Sequence, residues 1–455
     1  MALSLLFVVI AANRPSAFAA TTHAGFFPGW MAGPLGGLWP GLTRDATTLK
    51  YVFTAAMAAM YVSYLLALAY VPSMTRPRAR HWAIAAVVAV HAIFFLAPPM
   101  ALTDIFNYVN YGRMEVVHHL NPYTTYPVLE PHSDPSYALS NWHQLLSPYG
   151  PLFTLLTFAL VPLGIAASFW TIKAVLVAAS LGTILLVWRC AELLDLDPVR
   201  AIMLVGLNPI VLVWGLGGDH NDFMMVFAIV LGFYLLLRAR AQSGAAGGAA
   251  DIGAGAAFIA AAALKASAGI LIPIVLAGLV KTPRRLLDVL LGMVAAGAVV
   301  GGVSLIAFGL HIPDLSTQSR VVTSISVPNL LGLALGSGGE TETLHNLLSG
   351  VLALSVIGCC VLAWRRRDSL TASGWVTVAL LVTLGWVLPW YILWLLPLAA
   401  LSRSRRLRVT TLVLGVYLII AWAPASSLLW NAIGFKPTKT PLGRLHQRYV
   451  KELLN

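Results

Sequence analysis

Apolar runs at 51–71, 82–99, 168–188, 287–309 and 347–364 each reach the length, about 17–25 helical residues, that crosses the hydrocarbon core of a bilayer. No water is available there to satisfy backbone N–H and C=O groups, so runs of this kind form helices that close their hydrogen bonds internally. Composition agrees. Of 455 residues, 59% are hydrophobic and 10% charged, against roughly 45–50% and 25% in soluble domains. The expected architecture is therefore an all-α, polytopic integral membrane bundle of about 11–14 transmembrane or re-entrant segments. The formal charge of +12 fits cytoplasmic loops beside anionic headgroups and gives no reason to expect a nucleic-acid partner. Cys190, Cys359 and Cys360 lie near run ends beside arginines and match neither a disulfide framework nor a zinc site.

Charge distribution orients the runs. Clusters at Arg76/Arg78/Arg80, Arg189/Arg200, Arg238/Arg240, Lys281/Arg284/Arg285, Arg365/Arg366/Arg367 and Arg403/Arg405/Arg406/Arg408 read as cytoplasmic by the positive-inside rule. Two long polar segments read as outer: 100–149, whose one basic residue besides histidines is Arg113, and 311–346, which holds only Arg320. The first residues, MALSLLFVVIAA, read as a span or anchor, and residues 1–425 as one transmembrane domain followed by a basic tail at 426–455. Parity of crossings requires a re-entrant, interfacial or tightly paired segment near 150–188. The stretch 243–257, SGAAGGAADIGAGAA, reads as a flexible link running into a small-residue helix-packing surface. The run 252–280 breaks at Leu264-Lys265-Ala266-Ser267, which fits a broken span with Lys265 near its turn.

Ionisable residues at membrane depth cost several kcal/mol, so those found there are functional candidates. Asp104 sits at the outer mouth of a span, where partial desolvation is expected to raise its pKa towards that of a useful base. On a helix Tyr108 and Tyr111 share its face, and their rings and hydroxyls suit a sugar. The alternative is an interfacial aromatic belt with a helix-capping aspartate. Gly217-Gly218-Asp219-His220-Asn221-Asp222 packs two carboxylates and an imidazole into one turn able to hold hydroxyls, a phosphate or a metal, or else forms a hydrated hairpin turn. Lys265 has no acid near it in sequence. A lone ammonium there suits a lipid-linked phosphate, shared with Arg113, His220 or Arg320, although snorkelling to the headgroups is the plainer reading. Pro389-Trp390-Tyr391 ends another run, where the aromatics offer a sugar shelf or an interfacial girdle. The histidines of the first outer loop read as solvated. No pattern for nucleotide hydrolysis, zinc proteolysis or serine hydrolysis opens a helix, and no clustered ligand spacing indicates a divalent metal, which stays possible as a cofactor.

These blocks together carry a resemblance. Asp104 with YxxYGRM and NPY (104–123), YGPLF (149–153), LNPIVLVWGLGGDHND (207–222), LKASAGILIP (264–273) and PWYILWLLPL (389–398) stand in an order that resembles the bacterial GT-C polyprenyl-phosphomannose-dependent α-1,6-mannosyltransferases, over residues 50–400. The resemblance implies a GT-C bundle in the bacterial plasma membrane, with outer loops roofing an extracytoplasmic site open to the bilayer. It also implies that Asp104 is the catalytic carboxylate. On that reading the partners are a polyprenyl-phosphate-linked sugar, a glycan or glycolipid acceptor and the bilayer. Asp104 deprotonates the acceptor for an inverting attack, and Lys265, Arg113, His220 and Arg320 serve the donor phosphate. Tyr108, Tyr111, Asp219, Asn221, Asp222, Trp390 and Tyr391 orient the sugars. The rival from another class is a secondary transporter or lipid flippase, for which broken helices and intramembrane charges are equally expected.

Overall fold

A computed structural model describes residues 45–70, 77–100, 104–242, 244–319 and 321–434. The apolar stretch at 1–12, Arg76, Arg320 and the basic tail from Lys436 onward lie outside the described residues. Every regular element described is helical. In chain order the α-helices are α1 (Ala46–Tyr70), α2 (Pro77–Leu96), α3 (Asp104–His118), α4 (Pro151–Leu160), α5 (Gly164–Leu193), α6 (Pro198–Gly206), α7 (Asp222–Ala241), α8 (Ala245–Leu264) and α9 (Ile272–Leu279). They continue as α10 (Pro283–Phe308), α11 (Ser316–Ser319), α12 (Val327–Ala334), α13 (Glu342–Arg366), α14 (Ser369–Thr383), α15 (Ile392–Leu401), α16 (Arg405–Trp422) and α17 (Ser426–Ala432).

Among the described residues seven helices are long and apolar enough to cross a membrane, or eight if the bent pair α16–α17 counts as one span. Three shorter apolar stretches, at 266–279, 369–383 and 389–401, stand beside them. The result is a polytopic all-α membrane protein. Three of the apolar segments are thus shorter than the length that crosses alone.

The chain bends between α4 and α5. Ser168 Oγ donates to the Leu160 carbonyl at 2.8 Å, whereas eight residues of continuous helix would separate those turns by about 12 Å. The chain therefore turns sharply through the 3₁₀ turn Val161–Leu163 and Gly164, whose φ of 79° favours glycine. Elsewhere side chains stop and start the helices. Asp197 caps α6 ahead of Pro198, and Thr341, Asp368 and Ser404 cap α13, α14 and α16.

The small-residue stretch becomes helical from Ala245, so the expected flexible link is far shorter than its composition suggests. Its glycines meet α10 backbone to backbone. A Cβ on Gly255 would fall 2.0 Å from the Val289 carbonyl oxygen, and one on Gly292 would fall 1.9 Å from that of Ile252. In lipid, where apolar burial gives helices little reason to associate, such close approach is what joins them.

The helices share a polarity that positions the site. α7 begins at Asp222 and ends with Arg238 and Arg240, while α13 begins at Glu342 and ends with Arg365 and Arg366. The opposite ends from the arginines, together with α3, the Lys265 break and the segment after α14, converge on one cavity.

Candidate active site

The cavity has a volume of about 380 Å³ and a largely aromatic wall. Asp104, Tyr108 and Tyr111 all line it from one face of α3, as the 3.6-residue period requires. Asp104 is held from two directions. Its Oδ1 accepts the Trp142 indole N–H at 3.0 Å, and its Oδ2 lies 3.2 Å from His220 Nδ1. Trp142 reaches it because Asn107 Oδ1, one turn along α3, accepts the backbone N–H groups of Asn141 and Trp142 at 3.0 and 3.1 Å. Burial pushes the Asp104 carboxyl up, but hydrogen bonding and charge from His220, with Trp142 and Lys265 behind them, leave it below the usual carboxylate range. The expectation of a raised pKa is corrected: desolvation is present and outweighed. The group stands as a carboxylate with lone pairs to spare.

His220 stands on the turn that follows a π-helical stretch, Val211–Leu216. Its ring stacks on Trp390 at 3.5 Å with an interplanar angle of 9°. Gly218 makes room for it, since a Cβ there would lie 2.5 Å from His220 Nε2. Asp219 adopts a left-handed φ of 54°, uncommon outside glycine though tolerated by aspartate. Behind the turn, fully buried Lys173 donates to the Ala97 carbonyl at 2.7 Å and to Asp219 Oδ2 at 3.2 Å. Asp219 is therefore absent from the cavity wall, and its assignment as a sugar ligand is corrected: its carboxylate is committed to Lys173. Asn221 is the reverse case. Tyr108 Oη accepts its backbone N–H at 3.2 Å, while its side chain lines the cavity with both Oδ1 and Nδ2 buried and unpartnered among the described residues. A buried amide left unsatisfied is costly unless a ligand supplies partners.

Lys265 adopts an extended backbone (φ −156°, ψ 124°) between α8 and a 3₁₀ turn. Its ammonium is not alone. It donates to both oxygens of Asp222 at 2.8 and 3.0 Å, and Trp394 Nε1 donates to Asp222 Oδ1 at 2.5 Å. The Tyr391 and Trp394 rings lie 5.0 and 5.3 Å from the ammonium. The expected unpaired cation is thus an ion pair boxed by two aromatics, invisible in sequence because its acid lies 43 residues away.

Arg113 is also corrected. It faces the loop, where its guanidinium forms a fork on Asp134 at 2.8–3.1 Å together with His118 at 2.8 Å, and it does not line the cavity. Nor are the loop histidines merely solvated: His118 holds Asp134, and His143 Nε2 lies 2.9 Å from Ser140 Oγ. Trp390 and Tyr391 line the wall as expected, and Arg320 is not described. Among the described residues no three His, Cys, Asp or Glu side chains converge as metal ligands.

Sequence reading gave no hint of Trp142, whose role depends on loop folding. It passed over Lys173, although an ammonium inside an apolar run is the very signal used elsewhere. It also missed a pair behind the cavity wall, where Glu340 Oε1 lies 3.0 Å from Nδ1 of the wall residue His345.

These features define a multi-helix membrane protein whose bundle holds, at one end, a mainly apolar pocket into which a few polar groups converge. Residues 8–281, more than half of the chain, match the family described as alpha-(1->6)-mannopyranosyltransferase, N-terminal domain, and residues 322–436 match the MptB C-terminal domain. The chain belongs to this mannosyltransferase family. It is 27% identical over 368 residues to alpha-(1->6)-mannopyranosyltransferase A of Mycobacterium tuberculosis, covering 74% of this chain and 68% of that one. The protein of the same name in Corynebacterium glutamicum is 25% identical over 65% of this chain and 66% of its own. The chain thus spans about two thirds of the length of these relatives. No solved structure matches it significantly.

Proposed function

We propose that the protein moves a mannosyl group from a polyprenyl-phosphate donor to a hydroxyl of a glycan or glycolipid acceptor, with inversion, at the extracytoplasmic face of the plasma membrane. The observation that carries the reading is Asp104, a carboxyl on the cavity wall held between Trp142 and His220 and accompanied there by the unpartnered amide of Asn221. The relatives' names supply the mannosyl group and favour transfer over transport. Arginines gathered at the far ends of α7 and α13 support the side, because cytoplasmic ends are the basic ones.

In the proposed step Asp104 accepts the proton of the acceptor hydroxyl as that oxygen bonds to the anomeric carbon. The bond from the anomeric carbon to the phosphate oxygen breaks with its electron pair, and polyprenyl phosphate departs. His220, fixed by its stack on Trp390, steadies the carboxylate. Asn221 and the Asp222–Lys265–Trp394 unit bind sugar hydroxyls, and Trp390, Tyr391, Tyr108 and Tyr111 give the ring an aromatic surface.

The test is transfer of labelled mannose from synthetic polyprenyl-phosphomannose to short α-mannosides by the purified protein. Asp104→Asn keeps the size and most hydrogen bonding of the side chain while removing the base. Turnover should fall by about 10²–10⁴-fold with donor binding retained. Near-wild-type turnover in the variant removes Asp104 from the chemistry.

A further inference from the structure

The cavity has a second carboxylate–imidazole pair that the transfer step above does not use. Glu340 lies in the loop before α13 with its side chain fully buried, and its Oε2 has no partner among the described residues. Burial raises its pKa, with His345 pulling the other way. Asn329 Oδ1 accepts its backbone N–H at 3.1 Å, which fixes the loop. Gly385 admits the carboxylate at close range, since a Cβ there would lie 2.5 Å from Oε2. His345 turns Nδ1 to this carboxylate and lines the cavity. With Nδ1–H donated to a carboxylate, Nε2 is the atom left for a ligand, and in the imidazolium form it is a charged donor.

The position of His345 says which ligand. It stands in the first turn of α13, and the same helix contributes Ser349 and then Leu352 to the cavity wall. Residues i, i+4 and i+7 share a face, so one wall of the cavity passes from imidazole to hydroxyl to aliphatic over about 10 Å of helix. On the opposite face of α13, Leu347 and Leu354 are exposed on the bundle surface, so this helix stands at the edge of the bundle. A wall graded in this order fits an amphiphile with an anionic head and a long apolar chain. The other described cation on the wall, Lys265, already has Asp222 as its counter-ion.

We infer that Glu340, His345 and Ser349 form the phosphate site for a polyprenyl phosphate whose chain runs down α13 beside Leu352. This rests on the proposed lipid-phosphate donor and assigns its charged group to residues outside the Asp104 cluster. His345 donates from Nε2 to a phosphate oxygen, Glu340 holds the ring orientation and balances its charge, and Ser349 adds a neutral donor.

The experiment measures binding of a short polyprenyl phosphate and of the polyprenol of equal length to the full chain in nanodiscs, with phosphatidylglycerol as competitor. Wild type should prefer the phosphate by about tenfold or more, the worth of a charge-assisted hydrogen bond, and phosphatidylglycerol should not displace it. His345→Gln should abolish most of that preference while polyprenol binding stays unchanged, which also reports that the variant is folded. Glu340→Gln keeps the ring in the wall and removes the charge behind it, so it should lower the same preference. If either variant retains the wild-type preference, the assignment is overturned. Displacement by phosphatidylglycerol overturns it too, by making the site a general headgroup contact. A wild type with no preference for phosphate over alcohol brings down the lipid-phosphate donor itself, a failure distinguishable from that of the two variants.

Discussion

Lys173 and Asp219 form the most buried ion pair described, with side chains 0% and 2% exposed, and the turn carrying His220 hangs on it. Replacing one partner of such a pair leaves the other charge stranded, at about 3–5 kcal/mol. Lys173→Met strands Asp219 in its left-handed turn and frees the Ala97 carbonyl from a 2.7 Å bond. Asp219→Asn leaves the ammonium with that carbonyl alone. The double variant strands no charge, and replacing both partners of a buried pair is often close to neutral. The two losses should therefore not add, and with a near-neutral double variant the double-mutant cycle should return an interaction energy close to the sum of the single losses, about 6–10 kcal/mol. Unfolding by sodium dodecyl sulfate in mixed micelles, followed by tryptophan fluorescence, measures all four proteins. Because His220 follows Asp219 directly, each single variant should also lower mannosyl transfer. Single-variant losses that add within about 0.5 kcal/mol would refute the pairing as a structural unit, and full transfer activity in Lys173→Met would refute its role in placing His220.

Glu130 yields a pH prediction. Its pKa is pushed up to about 7 by burial first, with Asn110 opposing and Asp134 adding to the rise. The native state therefore holds this proton where the unfolded chain, titrating near 4.5, has lost it. The stabilisation is fully present below pH 4.5 and is lost as pH rises through about 7. Limited proteolysis of the 119–150 loop should accelerate between pH 5 and pH 8 in wild type and lose that dependence in Glu130→Gln; an identical profile in both would show that Glu130 is not the titrating group. Gly150→Ala places a Cβ 2.1 Å from the Ala263 carbonyl oxygen and pushes against the end of α8 that carries Lys265. It should raise the donor KM several-fold and lower the thermal midpoint, and unchanged values of both would mean that the α8 terminus yields freely.

The legible part of this molecule is what local pattern controls. Hydropathy gives the helical membrane class, and the period of 3.6 places Asp104, Tyr108 and Tyr111 on one wall because helix geometry needs no tertiary information. The break at Lys265 is readable because an ammonium interrupts an apolar run. Pairings were not readable. Lys265 finds Asp222, Arg113 finds Asp134, and Lys173 finds Asp219 at separations of 43, 21 and 46 residues, and only the folded bundle sets such partners. The same holds for Asp104. Sequence showed the desolvation that raises a carboxyl and could not show the imidazole and indole that bring it back down. Nor could hydropathy show the sharp turn between α4 and α5 that the bond from Ser168 to Leu160 fixes.

The charge arrangement around the cavity explains why a transferase of this kind would keep its lysine paired. An ammonium at membrane depth without a counter-ion is costly, and so is a carboxylate. Asp222 and Lys265 remove both costs together, and the Trp394 N–H and the two ring faces complete their coordination. A pair satisfied in advance gives up little to an arriving phosphate, because the incoming anion would have to compete with Asp222 for the same ammonium. It remains well suited to neutral hydroxyls, which take one hydrogen bond at a time from groups already fixed in place. The imidazole of His345 differs, since its Nδ1 is turned to Glu340 and its Nε2 is left to face an anion. A substrate with a neutral sugar at one end and a single phosphate at the other is matched by this division: preformed dipoles and ion pairs for the sugar, and an imidazole donor for the phosphate.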